Sequence, residues 1–323
     1  MAEFDLNNPS STGNISQDFP QVQDVPFQEE PVHSTYEPLN DLNMSPTQEP
    51  STIKGLSSEE LRDPNRIQVT IADSTKPIVI LFGPPSCGKT MTLVRLARYL
   101  RNEDYAVNPI RTFRPAYDEH YKKICDGFNT MITQNDAAES TNVISFMLVE
   151  VMKNGTRLCQ ILEAPGEFYF NPYDPEAPFP AYVNNIINAV NRKIWCIMVE
   201  PDWQDASDRS GYVSRIHFIK RRMRTRDKAI FVFNKIDKTS FVIGPGRVNL
   251  PQARKEISNL YPGIFAPFKN EHPITRFFVD WNCDFIPFQT GDYTRATNGI
   301  TYQEGPREYP AKLWNTILKH IRG

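Results

Sequence analysis

The sequence predicts an α/β fold, a mostly parallel central sheet with helices on both faces, behind a disordered amino-terminal tail. Three observations carry this reading. All-apolar runs at 78–82, 194–199 and 229–233 have the length and composition of strands buried on both faces. Stretches with helical apolar spacing follow them, at 91–100, 181–191, 211–224, 251–260 and 310–321. One hairpin signal, Asn154-Gly155, joins runs 143–151 and 156–162. Strands alternating with helices, plus one hairpin, make a largely parallel sheet.

In chain order, residues 1–65 are rich in Pro, Ser, Asn, Gln and Glu, with isolated aromatics at Phe4, Phe19, Phe27 and Tyr36. Such a segment buries too little surface to offset its ordering entropy, so a disordered tail is expected, a spacer or a tether that docks through its aromatics. Residues 66–323 form the predicted domain. Alternation over 66–76 predicts an edge strand. Residues 103–140 are long for a connection and read as an insertion, with a helix over 117–125. The Gly244-Pro245-Gly246 loop precedes the helix at 251–260, and Phe285–Phe288 reads as the last strand. The basic run Lys220, Arg221, Arg222, Arg224, Arg226 reads as a solvated face at a helix carboxyl end.

The chemistry concentrates where strands end. Gly83-Pro84-Pro85-Ser86-Cys87-Gly88-Lys89-Thr90 closes the run at 78–82 and opens the helix that begins with Met91. This G-x-x-x-x-G-K-T spacing wraps backbone N–H groups around a polyphosphate at a helix amino terminus. Gly83 and Gly88 let the backbone bend and approach without a Cβ. Lys89 supplies a mobile cation for β- and γ-phosphate oxygens, and the Thr90 hydroxyl is a hard ligand suited to Mg²⁺. Cys87 reads as a small loop residue rather than a nucleophile.

Asn234-Lys235-Ile236-Asp237 ends the run at 229–233. A carboxylate at Asp237 can accept both N1–H and N2–H of guanine, a pair of donors adenine lacks. The Lys235 stem can lie along the base, and Asn234 can brace the phosphate loop.

This order of motifs resembles the Ras-like and translation-factor (TRAFAC) branch of P-loop GTPases over about residues 77–322. The resemblance implies that Glu163-Ala164-Pro165-Gly166 stands for D-x-x-G, with Glu163 reaching Mg²⁺ through water and the Gly166 N–H sensing the γ-phosphate. It implies an Mg²⁺-clamping threonine before the hairpin, Thr141 or alternatively Thr133. It also makes Gln289-Thr290 the last guanine loop. Glu163 departs from the family's Asp by one methylene. Glu167 stands where Ras-like members carry the glutamine that orients water, which implies slow hydrolysis or help from a partner. Arg111 and Arg114 are candidates for an arginine that stabilises the transition state.

The expected function is thus a GTP-dependent switch that binds GTP or GDP with Mg²⁺ and acts through a protein effector or activator. An AAA-type ATPase is the alternative, against which stands Glu200-Pro201-Asp202 where a strand-terminal Asp-Glu pair belongs. A non-hydrolysing interaction protein is the third reading. A net charge of −2 on 323 residues argues against a nucleic-acid partner. The five scattered cysteines suit reduced thiols in the cytoplasm. No lipid or membrane anchor is expected from the sequence.

Overall fold

The computed structural model describes residues 56–133, 146–171, 174–203, 205–272, 280–296 and 299–323, with backbone alone at 293–301. The sequence's apolar runs become the centre of a seven-stranded sheet. Strand β1 (Ile78–Phe82) is buried along its whole length, so both of its faces are covered. A loop leads to helix α2 (Lys89–Asn102), which buries Leu93, Leu96, Ala97 and Leu100. Next come strand β2 (Ala106–Pro109) and helix α3 (Glu119–Thr133), then the hairpin of β3 (Met147–Lys153) and β4 (Thr156–Glu163). Its turn holds Asn154 and Gly155 at φ 50° and 72°. Left-handed backbone at both central residues matches the twist of the flanking strands, as the sequence predicted.

A single turn, α4 (Gly166–Tyr169), precedes α5 (Ala181–Asn188), β5 (Lys193–Val199), α6 (Ala206–Arg222) and β6 (Lys228–Phe233). A small hairpin, β7 (Val242–Gly244) and β8 (Arg247–Val248), then leads to α7 (Leu250–Leu260) and β9 (Asp284–Pro287). A second hairpin, β10 (Asp292–Ala296) and β11 (Gly299–Gln303), precedes the closing α8 (Glu308–Arg322). One further helical turn, α1 (Ser58–Arg62), stands before β1.

The sheet order is β2-β3-β4-β1-β5-β6-β9, and β3 alone runs against its neighbours. After β1 the chain builds one side of the sheet, then crosses to build the other. The order therefore reverses at β1, and the loops beyond its carboxyl end part to leave a crevice. The mostly parallel α/β fold stands as predicted.

Three expectations are corrected. The domain begins before residue 66, because Leu56 is buried and Ser57 and Glu60 form a reciprocal cap on the first helical turn. Residues 1–55 lie outside the described residues. Residues 66–76 are an extended strap rather than an edge strand. Ile67 is buried and the Thr70 N–H bonds the Phe113 carbonyl at 2.8 Å, so the alternation reports side-chain packing without sheet pairing. The 103–140 segment is no mere insertion, since it supplies the edge strand β2 and helix α3, which starts at Glu119 rather than 117. The Gly244-Pro245-Gly246 loop precedes α7 as expected, and forms the turn of the small β7–β8 hairpin.

Candidate functional site

Residues 83–90 fill the crevice at the end of β1. Ser86 and Gly88 adopt left-handed backbone, φ 63° and 88°, the kind of curl from which anion-binding nests of N–H groups are built. A Cβ on Gly88 would lie 2.4 Å from Asn234 Nδ2, and one on Gly83 would lie 2.5 Å from Cys87 Sγ. Both glycines are therefore demanded by close approach. Pro84 and Pro85 have no N–H, so they shape the loop while donation falls to Ser86 through Met91. Lys89 is buried and donates Nζ to the carbonyls of Gly83 at 3.1 Å and Pro84 at 2.7 Å. Burial pushes the Cys87 thiol up, which suits a packed loop residue.

Two of the predicted metal-side residues, Thr90 and Glu163, meet here. Thr90 Oγ1 donates to Glu163 Oε1 at 2.9 Å, and Glu163 Oε2 accepts the Phe146 N–H at 2.9 Å. Burial raises the Glu163 pKa, partly offset by the nearby Lys89 charge. A buried carboxylate disfavoured by its surroundings, beside a hydroxyl oxygen, suits a hard divalent cation. Gly166 starts α4 against the loop, where an added Cβ would lie 2.6 Å from Pro85 N and 2.8 Å from the Gly83 carbonyl. Glu167 is exposed and lines a cavity of about 430 Å³ with Pro84, Pro85, Phe170, Glu200 and Trp203.

The second motif reaches the same loop. Asn234 is buried, and its Nδ2 donates to the Cys87 carbonyl at 3.0 Å. Lys235 is left-handed at φ 55°, and its ammonium pairs with Glu200 at 2.6 Å and Asp202 at 3.1 Å. Those two carboxylates, the nearest thing to an AAA-type acidic pair, are thus held by the lysine of the adjacent turn. Asp237 is exposed at its tip, yet its pKa is raised, first by partial desolvation and then by Asp292 and Asp202. The last loop is tied to this turn through its backbone. The Ile236 N–H donates to the Phe288 carbonyl at 3.2 Å, and the Phe288 N–H to the Phe233 carbonyl at 2.7 Å. Gln289 is buried with Nε2 at 3.3 Å from Asp292 Oδ1, while the Thr290 carbonyl accepts the Tyr302 hydroxyl at 3.0 Å.

Other predicted residues lie elsewhere. Thr141 falls outside the described residues. Thr133 ends α3 and gives its hydroxyl to the Asn129 and Thr130 carbonyls. Arg114 is buried in a structural role, ion-paired to Glu60 at 2.6 Å and Asp118 at 2.9 Å. Arg111 is exposed and pairs with Asp126. Neither arginine is thus poised as expected. The β10–β11 hairpin, which brings Asp292 and Tyr302 to the last loop, was missed. Its signal was the alternation of Tyr293-Thr294-Arg295 and Ile300-Thr301-Tyr302 around Asn298-Gly299.

No protein-family model matches the chain, and no curated protein matches it in sequence. Among solved structures it is similar to a Plasmodium falciparum protein described as nucleolar GTP-binding protein 1. That match has 14% identity and a TM-score of 0.40, and covers 79% of this chain and 90% of the other. It is also similar to the S. cerevisiae Ski7 GTPase-like domain bound to GDP and inorganic phosphate, at 15% identity and a TM-score of 0.39 over 77% of this chain. A third is Methanosarcina barkeri Roco2 RocCORdC bound to GDP, at 14% identity and a TM-score of 0.30 over 78% of this chain. The chain spans about half the length of the last two, 50% and 52%.

Proposed function

We propose that the chain is a guanine-nucleotide-binding protein of the Ras-like and translation-factor type. In this reading it hydrolyses GTP to GDP and phosphate with Mg²⁺, slowly unless a partner assists. One observation carries the proposal: the Asn234 side chain bonds the Cys87 carbonyl, so the base-reading turn and the phosphate loop share one crevice. With the triphosphate in residues 83–91, Asp237 faces the purine edge and Thr290 offers its N–H to the guanine oxygen.

The residues divide the work. N–H groups of Ser86 to Met91 and the Lys89 ammonium bind the β- and γ-phosphates. Thr90, Glu163 and Thr141 would hold Mg²⁺, which when bound neutralises phosphate charge. Gly166 reports on the γ-phosphate through its N–H. Glu167 orients the water that attacks the γ-phosphorus as the bond to the β-bridging oxygen breaks. Its negative charge opposes the phosphate, which accounts for a slow intrinsic rate. The loops at 141 and 166 would be ordered by GTP and released by hydrolysis, giving a protein effector a state to read. A cytoplasmic location belongs to the same proposal.

The test is calorimetric titration of the full chain with GTP, GDP and ATP, repeated on Asp237→Ala. GTP and GDP should bind far better than ATP, and Asp237→Ala should lose that preference by about 100-fold, the worth of a bidentate charged pair. Equal affinities for GTP and ATP in the wild type would reject the base assignment. Single-turnover phosphate release at background rate would leave the nucleotide site standing and favour the non-hydrolysing reading.

A further inference from the structure

The near-neutral total charge conceals a basic domain. Residues 1–55 hold nine Asp and Glu against one Lys, which leaves 35 Lys and Arg against 29 Asp and Glu in residues 56–323. Much of that excess gathers at the end of the sheet opposite the nucleotide crevice. Parallel strands begin together as well as end together. In register Ile78 of β1 faces Lys193 of β5 and Gln160 of β4, while Ile194 of β5 faces Lys228 of β6. Residues just ahead of those positions therefore line one edge, and five of them are cationic: Lys76, Arg157, Arg192, Arg226 and Lys228. They surround a cavity of about 610 Å³.

Among the described residues, two of the arginines there are held in place by carbonyls and pair with no carboxylate. Arg192 donates to the His320 carbonyl and Arg226 to the Val190 carbonyl. A carbonyl fixes a guanidinium but brings no full negative charge. Arg157 is the exception, with Glu150 bonded to it and Asp73 at 3.6 Å. Asp227, beside Lys228, turns its carboxylate inward to accept the N–H groups of Lys193 and Arg224 at 2.9 Å each. Gly323 also lines the cavity. Nearby Lys193 has its pKa lowered to about 8, chiefly by burial, with Arg224 and Arg226 adding to the shift and Asp227 opposing it. Pro77, Leu158 and Val190 supply an apolar wall, and Val190 is 63% exposed.

We propose that this cavity, framed by Lys76, Arg192, Arg226 and Lys228, binds a small ligand bearing two or more phosphate groups. Guanidinium forks pre-set by carbonyls suit bidentate phosphate contact, and the two lysines add point charges. The cavity is of small-ligand size, which favours a compact polyphosphate over an extended chain. The ligand can be a soluble organic polyphosphate or the head group of a phosphorylated inositol lipid, since both present the same chemistry. This site is independent of the nucleotide reading.

The probe is inositol hexakisphosphate, titrated calorimetrically into the full chain, into Lys76→Ala/Lys228→Ala, and into Lys89→Ala. Wild type and Lys89→Ala should bind alike, and the double variant should bind at least about tenfold more weakly. Rescue by Lys76→Arg/Lys228→Arg would show charge, rather than folding, to be at stake. Vesicles of phosphatidylcholine with or without phosphatidylinositol bisphosphate identify the source. Sedimentation only with the charged vesicles, lost in the double variant, assigns a lipid, and binding of the soluble probe without sedimentation assigns a soluble ligand. The proposal is overturned if neither probe binds, if the double variant binds as wild type does, or if Lys89→Ala abolishes binding.

Discussion

The two ends of β1 face opposite electrostatic problems. At its carboxyl end, beyond Phe82, Glu163, Glu167, Glu200, Asp202 and Asp237 stand around the loop of Lys89. At its amino end, before Ile78, Lys76, Arg157, Arg192, Arg226 and Lys228 line one cavity. An acidic surround admits a polyphosphate only through directed donors, a curled backbone and an accompanying cation. A basic surround leans more on charge, with carbonyl-fixed guanidinium groups giving it direction. In the two proposals, an anion is held by shape at one end of the strand and chiefly by charge at the other. Bare charge is the more salt-sensitive of the two.

The sharpest way to break this contrast is Lys89→Ala. Its ammonium is expected to make charge-assisted bonds to phosphate worth about 1.5–3 kcal/mol each. Calorimetry should show GTP affinity falling by about 100-fold or more, with inositol hexakisphosphate binding untouched. Parallel losses at both ends would mean that the ends do not act separately.

Two buried charges of opposite sign sharpen the contrast further. The Glu163 pKa is raised in the folded chain, mainly by burial. Folding thus favours its protonated form, a stabilisation present below the unfolded carboxyl value and lost as pH rises through the folded one. At neutral pH, above the unfolded carboxyl value, this raised pKa costs stability. Glu163→Gln keeps an acceptor for Phe146 and a donor for Thr90, so it should raise the thermal midpoint at pH 7 in nucleotide-free protein while abolishing the Mg²⁺ dependence of GTP binding. A lower midpoint in that variant would refute the account.

Lys193 is the mirror case and the smaller effect. Its pKa drops from 10.5 to about 8 on folding, so stability is present above the unfolded value and lost as pH falls through the folded one. Urea unfolding of wild type and Lys193→Met should therefore differ in slope. Relative to the variant, wild type should gain stability between about pH 8 and 10.5. A constant difference across that window would remove the buried charge from the explanation.

The carboxyl end was legible in the sequence because its parts are contiguous. Residues 83–90 and 234–237 each close an apolar run, and their fixed order placed them on one sheet edge. The amino end was not legible. Its cations stand one or two to a strand start, spread from Lys76 to Lys228, and strand register alone assembles them. Strand β2 escaped because Ala106–Pro109 is short and ends in proline, with no run to betray it. The strap at 66–76 misled for the converse reason: alternating burial is a property of side chains, and pairing is a property of backbone.

Gly166 has no clearance. Its α-carbon rests so near Pro84 and Pro85 that one methyl group would collide with both. Two stretches separated by eighty residues are therefore stacked like shims, and neither can shift without displacing the other. A group that moved Pro84 or Pro85 would press on Gly166, which opens the turn holding Phe168 and Tyr169.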